Sequence, residues 1–142
     1  MFTALDGKGE NGNIAPTQNK KTVLVIEDQE LLLSLLQDEL TAVGHRALVG
    51  TTGEEGLRVL EEAGGNVALI FLDLILPKMD GFAVLKQLKS DSRFKDIPVV
   101  VLSNLGEEEN IKRATELGAV EYFIKADMTP EKVIEIVNRV AV

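Results

Sequence analysis

The sequence predicts an α/β domain in which a parallel sheet of five strands is covered by helices on both faces. Three observations predict it. From Lys20 onward, short β-branched or apolar runs alternate with longer amphipathic segments, the pattern of repeated strand–helix units. The runs VLVI at 23–26, VALIFL at 67–72 and VVVL at 99–102 are continuously apolar, as strands buried on both faces are. One charge is out of place: Asp73 sits between the apolar run 67–72 and Leu74, Ile75 and Leu76, where an unpaired carboxylate is costly.

The elements follow in order. A first strand is expected over 22–27, then a helix over 30–43 stopped by Gly44, a good left-handed cap. The second strand spans 46–50. The second helix, 54–63, carries Leu57 and Leu60 on one face and ends at Gly64 and Gly65. The third strand runs over 67–73, and Pro77 breaks the chain. A helix over 81–88 buries Phe82, Leu85 and Leu88, and the polar loop 91–96 leads into the fourth strand, 98–102, which Pro98 can open. The fourth helix, 107–117, has a thin apolar stripe of Ile111, Ala114 and Gly118 and is expected to be loosely held. The fifth strand covers 120–125. Thr129 and Pro130 then give an N-cap and first-turn signal for a last helix ending near Val140. Five such units suit a flavodoxin-like (βα)5 three-layer sandwich with strand order 2-1-3-4-5.

Bulk properties narrow the function. A chain of 142 residues, 45% hydrophobic and 27% charged, suits one globular domain, placed at 20–142. Residues 1–19, rich in Gly and Asn without helical or strand period, read as a disordered tail or an artificial extension. Fifteen Lys and Arg against 23 Asp and Glu, a formal charge of -8, argue against nucleic acid as a direct partner. The absence of Cys rules out disulfides, thiol nucleophiles and Cys-ligated metals. The longest apolar stretch is too short to span a bilayer and contains Asp73, so no membrane association is expected. The N-terminus has neither the basic start nor the apolar centre of a signal peptide, which points to a cytoplasmic protein.

Four apolar strands end in polar residues: the first in Glu27 and Asp28, the third in Asp73, the fourth in Ser103 and the fifth in Lys125. In a parallel sheet these ends share one edge, and ligands of open α/β sheets bind outside it where the strand order reverses. Three carboxylates in one crevice repel one another, so either some are protonated or a cation is present. An all-oxygen site suits Mg²⁺, typically completed by a substrate phosphate. A carboxylate facing a lysine, a hydroxyl and such a cation is equipped to accept a phosphoryl group.

The segments VLVIEDQE, DLILPKMDG, VVVLSN and EYFIKAD, in this order and spacing, resemble the response-regulator receiver family of two-component signalling, over about 20–142. In type the chain is similar to the stand-alone chemotaxis regulator. The resemblance implies Asp73 as phosphoacceptor. It implies Asp28, Asp73 and the backbone carbonyl of Ile75 as direct Mg²⁺ ligands, with Mn²⁺ able to substitute, and Glu27 acting mainly through water on the metal. Ser103 matches the switch hydroxyl, Lys125 the phosphate-pairing lysine and Tyr122 the aromatic switch. A histidine kinase or phosphotransfer protein is the implied donor. The output is altered binding to an unknown protein through the surface of the fourth helix, fifth strand and fifth helix. Such a chain is a signalling switch and not a turnover enzyme. A phosphorelay intermediate or phosphate sink is the alternative. A phosphatase with an Asp nucleophile is disfavoured because Ile75 stands where the general acid belongs.

Each residue also has a plainer reading. Glu27 and Asp28 alone could be a helix start, Ser103 with Asn104 a helix cap, Lys125 a solvated strand end and Tyr122 a packing aromatic. His45, in a turn after Gly44, is expected to be solvated, and Asp80 to cap the third helix. The first helix has leucines at 31, 32, 33, 35, 36 and 40, a wider apolar arc than one core face needs, which is either a broad core contact or a docking surface. Two departures from the family pattern stand out. Ala126 replaces the usual proline after the lysine, so that the peptide bond before it is either trans or strained. Ile75 and Leu105, two residues beyond Asp73 and Ser103, are apolar where a polar side chain could orient a hydrolytic water, and slow self-dephosphorylation is expected. Asn104 is larger than the small residue often found beside the switch hydroxyl and could narrow access.

Overall fold

A computed structural model describes residues 20–142; the tail expected over 1–19 lies outside the described residues. The strands are β1 (Thr22–Ile26), β2 (Arg46–Gly50), β3 (Leu69–Leu72), β4 (Val99–Ser103) and β5 (Glu121–Ile124). They alternate with α1 (Glu30–Ala42), α2 (Gly53–Glu62), α3 (Gly81–Ser90), α4 (Glu108–Glu116) and α5 (Pro130–Val140). The strands form one parallel sheet in the order β2-β1-β3-β4-β5, as expected. The order reverses at β1, whose chain continues to one side into β2 while β3 pairs on the other.

Strand alternation divides the core. Leu24, Ile26, Ile70, Leu72, Val99 and Val101 face a layer that includes Leu60, Leu85 and Leu88 of α2 and α3. The intervening Val23, Val25, Leu69, Phe71, Val100 and Leu102 face Leu36 and Leu40 of α1 and Val133, Ile136 and Val137 of α5. Side chains of successive strand residues point to opposite faces, so a sheet covered on both sides must be apolar at every position. α4 buries only Ala114, in keeping with its thin stripe.

The helix signals operate as chemistry dictates. The Thr52 and Thr129 side chains accept the N–H groups of Glu55 and Lys132, and Asp80 Oδ1 accepts that of Phe82. Gly44 takes φ 93° after α1, a conformation that penalises a side chain. Gly81 is required for another reason: a Cβ there would lie 2.4 Å from Leu74 Cα and 2.5 Å from the Asp73 carbonyl oxygen.

Several expectations need correction. The first and third strands, expected over 22–27 and 67–73, end at Ile26 and Leu72, so Glu27 and Asp73 stand one residue beyond them. Their backbones stay in register, Glu27 N–H donating to the Gly50 carbonyl and Asp73 N–H to that of Ile26. The fourth strand reaches Ser103, and the fifth stops at Ile124 because Lys125–Asp127 tightens into a 3-10 turn. His45 is not solvated. It is 7% exposed, and its Nδ1 accepts the N–H of Lys21 at 3.0 Å, which makes it an internal tie between the entries to β1 and β2. The wide leucine arc of α1 resolves into Leu36 and Leu40 in the core and Leu31 90% exposed. The Lys125–Ala126 bond is trans, and no described peptide bond is cis.

Candidate functional site

The strand termini do converge. Glu27 and Asp28 follow β1, Asp73 follows the adjacent β3, Ser103 closes β4 and Lys125 leaves β5, all at the carboxyl edge of the sheet beside the point where the strand order reverses. Carboxylate oxygens of Glu27, Asp28 and Asp73 lie within 4.8 Å of one another. Asp73 and Glu27 are buried, whereas Asp28 is exposed at the mouth. A cleft of about 150 Å³ is lined by Asp28, Gln29, Asp73, Ile75, Asn104 and Lys125.

Lys125 organises the acids. Its Nζ donates to Asp73 Oδ2 at 2.8 Å, to the Glu27 carboxylate at 3.0 Å and to Gln29 Oε1 at 2.9 Å. The other Asp73 oxygen, Oδ1, accepts the N–H of Ile75 at 3.1 Å, and Glu27 Oε2 accepts that of Gln29 at 2.9 Å. Burial raises the Glu27 carboxyl above its ordinary pKa and the Asp73 charge adds to that, against the opposing pull of the Gln29 N–H and Lys125. Burial pulls Lys125 downward, but its bonds to Asp73 and Glu27 outweigh this and hold it above the usual lysine value. The ammonium therefore stays charged in a site that is formally anionic.

Ser103 is fully buried, and its Oγ accepts the N–H of Leu105 at 3.1 Å, so it shapes the loop after β4 and not the start of α4. The half-buried Tyr122 ring packs against the α2–α3 side of the core, and its hydroxyl donates to the Leu105 carbonyl. Burial raises the Tyr122 phenol, with the Ser103 hydroxyl opposing. Ile75 is 55% exposed at the cleft, Asn104 is exposed beside it and Leu105 is half-buried. Gln29, which lines the cleft and bonds Lys125, went unnoticed in the sequence. A glutamine before a leucine-rich helix carries no local mark of a bond reaching 96 residues along the chain.

Three formal negative charges against one ammonium leave two, the charge of one divalent cation. Hard carboxylate oxygens with a backbone carbonyl nearby are the donors such an ion prefers. The fold and this acidic cleft together define a class. The chain belongs to the response regulator receiver domain family, whose model matches residues 23–138. Receiver domains hold a divalent metal in an acidic pocket, and the acids present fit that chemistry.

Among curated relatives, the chain is 34% identical over 107 residues to a probable transcriptional regulator, ycf27, of Cyanophora paradoxa, covering 75% of this chain and 43% of that protein. It is 32% identical over 126 residues to the chemotaxis protein CheV3 of Helicobacter pylori, covering 83% and 40%. The chain thus spans about two fifths of the length of these relatives. Among solved structures, the Mn²⁺-bound form of response regulator Rcp1 matches with TM-score 0.71 and 29% identity over 83% of this chain and 90% of that one. The phosphorylated cyanobacterial phytochrome response regulator RcpA matches with TM-score 0.73 and 33% identity over 84% and 90%. Vibrio cholerae CheY4, at 23% identity and TM-score 0.78 over 85% and 98%, supports the fold.

Proposed function

We propose that this chain is a phosphorylation switch in which Asp73 accepts a phosphoryl group from a phosphohistidine of a histidine kinase or phosphotransfer protein. The observation that carries the reading is the buried Asp73 carboxylate, 2.8 Å from Lys125 Nζ, with two further carboxylates within 4.8 Å. An Asp73 oxygen attacks phosphorus, the P–N bond of the donor breaks, and its electron pair remains on the imidazole nitrogen. Nothing is oxidised or reduced. The carboxylates of Asp28 and Asp73 with the carbonyl of Ile75 would hold Mg²⁺, or Mn²⁺ in its place. An ion held there would supply charge neutralisation for the phosphoryl oxygens.

The chain's own groups do the rest. Lys125 pairs with phosphoryl oxygens from one side. The Ile75 N–H, already on Oδ1, fixes the carboxylate plane and leaves Oδ2 as the oxygen that exchanges partners. Ser103, at the end of β4, would turn its Oγ toward the new group and give up the Leu105 N–H, and that change would reach Tyr122 through the Leu105 carbonyl it holds. The output is altered binding to a partner protein and not turnover of a substrate.

A groove of about 430 Å³ beside the cleft is lined by Gln29, Glu30, Leu31 and Leu32 of α1 and its entry, with Asn104, Lys125 and Ala126 opposite. Its apolar lip and the exposed Leu31 support docking of the donor protein there. No described helix is long and apolar enough to cross a membrane.

Incubation with acetyl phosphate and Mg²⁺, read by intact mass, tests the reading. The wild type should gain one phosphoryl group and Asp73→Ala none; a wild type without donor-dependent mass would overturn it. Following decay after donor removal tests the apolar flank. Ile75→Asn with Leu105→Glu should shorten the phosphoryl lifetime several-fold, because a polar side chain could then hold the attacking water. An unchanged lifetime refutes a role for these positions.

A further inference from the structure

The environment of Lys125 assigns a task to a residue outside the acidic set. A lysine ammonium carries three N–H donors and accepts nothing. Here all three have partners: Asp73 at 2.8 Å, the Glu27 carboxylate at 3.0 Å and Gln29 Oε1 at 2.9 Å. The ammonium is thereby fixed in direction, and no donor is left for a phosphoryl oxygen until a partner is released. Two of the three are buried carboxylates, and breaking either contact would leave a buried charge less well paired. The third is a neutral amide on an exposed residue, and it costs least to give up.

The local structure of α1 bears on the same residue. Gln29 occupies the N-cap position of α1, where a Ser, Thr or Asp side chain would bond a free helix N–H. Thr52, Asp80 and Thr129 do this for α2, α3 and α5. Gln29 makes no side-chain cap, and its carboxamide reaches across the cleft to Lys125 instead. Its backbone N–H meanwhile holds Glu27 Oε2. The residue also lines both the acidic cleft and the apolar groove next to it, so a protein docked in the groove would meet it.

Resting on the phosphorylation reading above, we infer that Gln29 is a positioning residue that holds the Lys125 ammonium aimed at Asp73 in the unmodified protein and is the partner released when a phosphoryl group arrives. It acts through Lys125 and touches no reacting atom in the resting state.

A double-mutant cycle on the full chain separates this from a structural role. The initial rate of Asp73 modification by acetyl phosphate and Mg²⁺ is measured for wild type, Gln29→Ala, Lys125→Ala and the double variant. Gln29→Ala should slow modification several-fold when Lys125 is present and have no further effect when it is absent. An equal slowing in both backgrounds, or a Gln29→Ala rate equal to wild type, overturns the inference while leaving Asp73 phosphorylation standing. A wild type that takes up no phosphoryl group overturns both. Gln29→Ser supplies the missing cap hydroxyl and should raise Tm while slowing modification, because the shorter side chain cannot reach Lys125. A serine variant as fast as wild type would equally defeat the proposal.

Discussion

The two edges of the sheet use polar groups in opposite ways. At the amino edge, polar groups are few and tied to one another. Lys21 N–H donates to His45 Nδ1, Lys21 Nζ to the Val142 carbonyl, and Val142 N–H to the Ala68 carbonyl, joining the entries to β1, β2 and β3 with the segment after α5. At the carboxyl edge, three acids crowd around one lysine, and burial of Glu27 already disfavours its charged form. The first arrangement is what stability favours. The second keeps charge repulsion that a bound cation can relieve, the usual conflict between a functional site and the fold that carries it. Changes at the amino edge should therefore cost stability and spare phosphorylation, and side-chain changes at the carboxyl edge should do the reverse.

The largest expected effect tests the limit of that rule. Gly81→Ala lies at the carboxyl edge yet should lose both properties, because its Cβ would strike the backbone of Leu74 and the Asp73 carbonyl, neither of which can rotate away. Overpacking against backbone is expected to cost about 3 kcal/mol, measured by urea denaturation, and to slow Asp73 modification by moving its main chain. An unchanged modification rate in a destabilised variant would show that the loop after β3 is not what fixes the Asp73 carboxylate.

His45→Ala is the next test, from the amino edge. It removes a buried ring and leaves the Lys21 N–H without its acceptor, for a loss of about 1–3 kcal/mol, with the acetyl phosphate reaction unchanged. The same residue predicts a pH dependence. Burial, with the Lys21 charge adding to it, holds the imidazole below the ordinary histidine pKa. The unfolded chain then binds the proton more readily than the folded one, so the stabilisation is complete above the unfolded value, about 6.5, and is lost as pH falls through the lower folded value. Denaturation midpoints from pH 8 to pH 5 should decline in the wild type by more than in His45→Ala. Parallel declines would assign the acid sensitivity to other groups.

These tests also mark what the sequence could and could not convey. Strand order and the four polar strand ends were legible because they rest on period-two burial and on the edge geometry common to parallel sheets, both encoded locally. The exact strand ends were not, since β5 stops where Lys125 tightens into a 3-10 turn, and the lysine's partners there, Asp73 and Glu27, lie beyond the ends of β3 and β1, far along the chain. His45 was misread for a similar reason. Its burial depends on Lys21 and on the last turn of α5, which a turn sequence of Gly and His does not announce. Gln29 is the extreme case, an unremarkable helix-start residue whose meaning lies wholly in a contact 96 residues away. Leu31 was legible only as excess: the arc was too wide for one core face, and the fold decided which leucine was left outside.

The smallest effect on stability gives the cleanest view of the carboxyl edge. Asp28→Asn removes one of three clustered charges from an exposed position and leaves the Lys125 bonds to Glu27, Gln29 and Asp73 in place. Without divalent cation it should be at least as stable as the wild type, since like-charge repulsion is reduced and no buried partner is orphaned. Millimolar Mg²⁺ should reverse the order. An ion that binds only the folded state stabilises it in proportion to the logarithm of its concentration over Kd, and the variant, short of one ligand, gains less. Thermal midpoints of both proteins with and without Mg²⁺ measure the crossing. Equal Mg²⁺ shifts would mean that Asp28 does not hold the ion, and the acidic cluster would then owe its charge to some demand other than the metal.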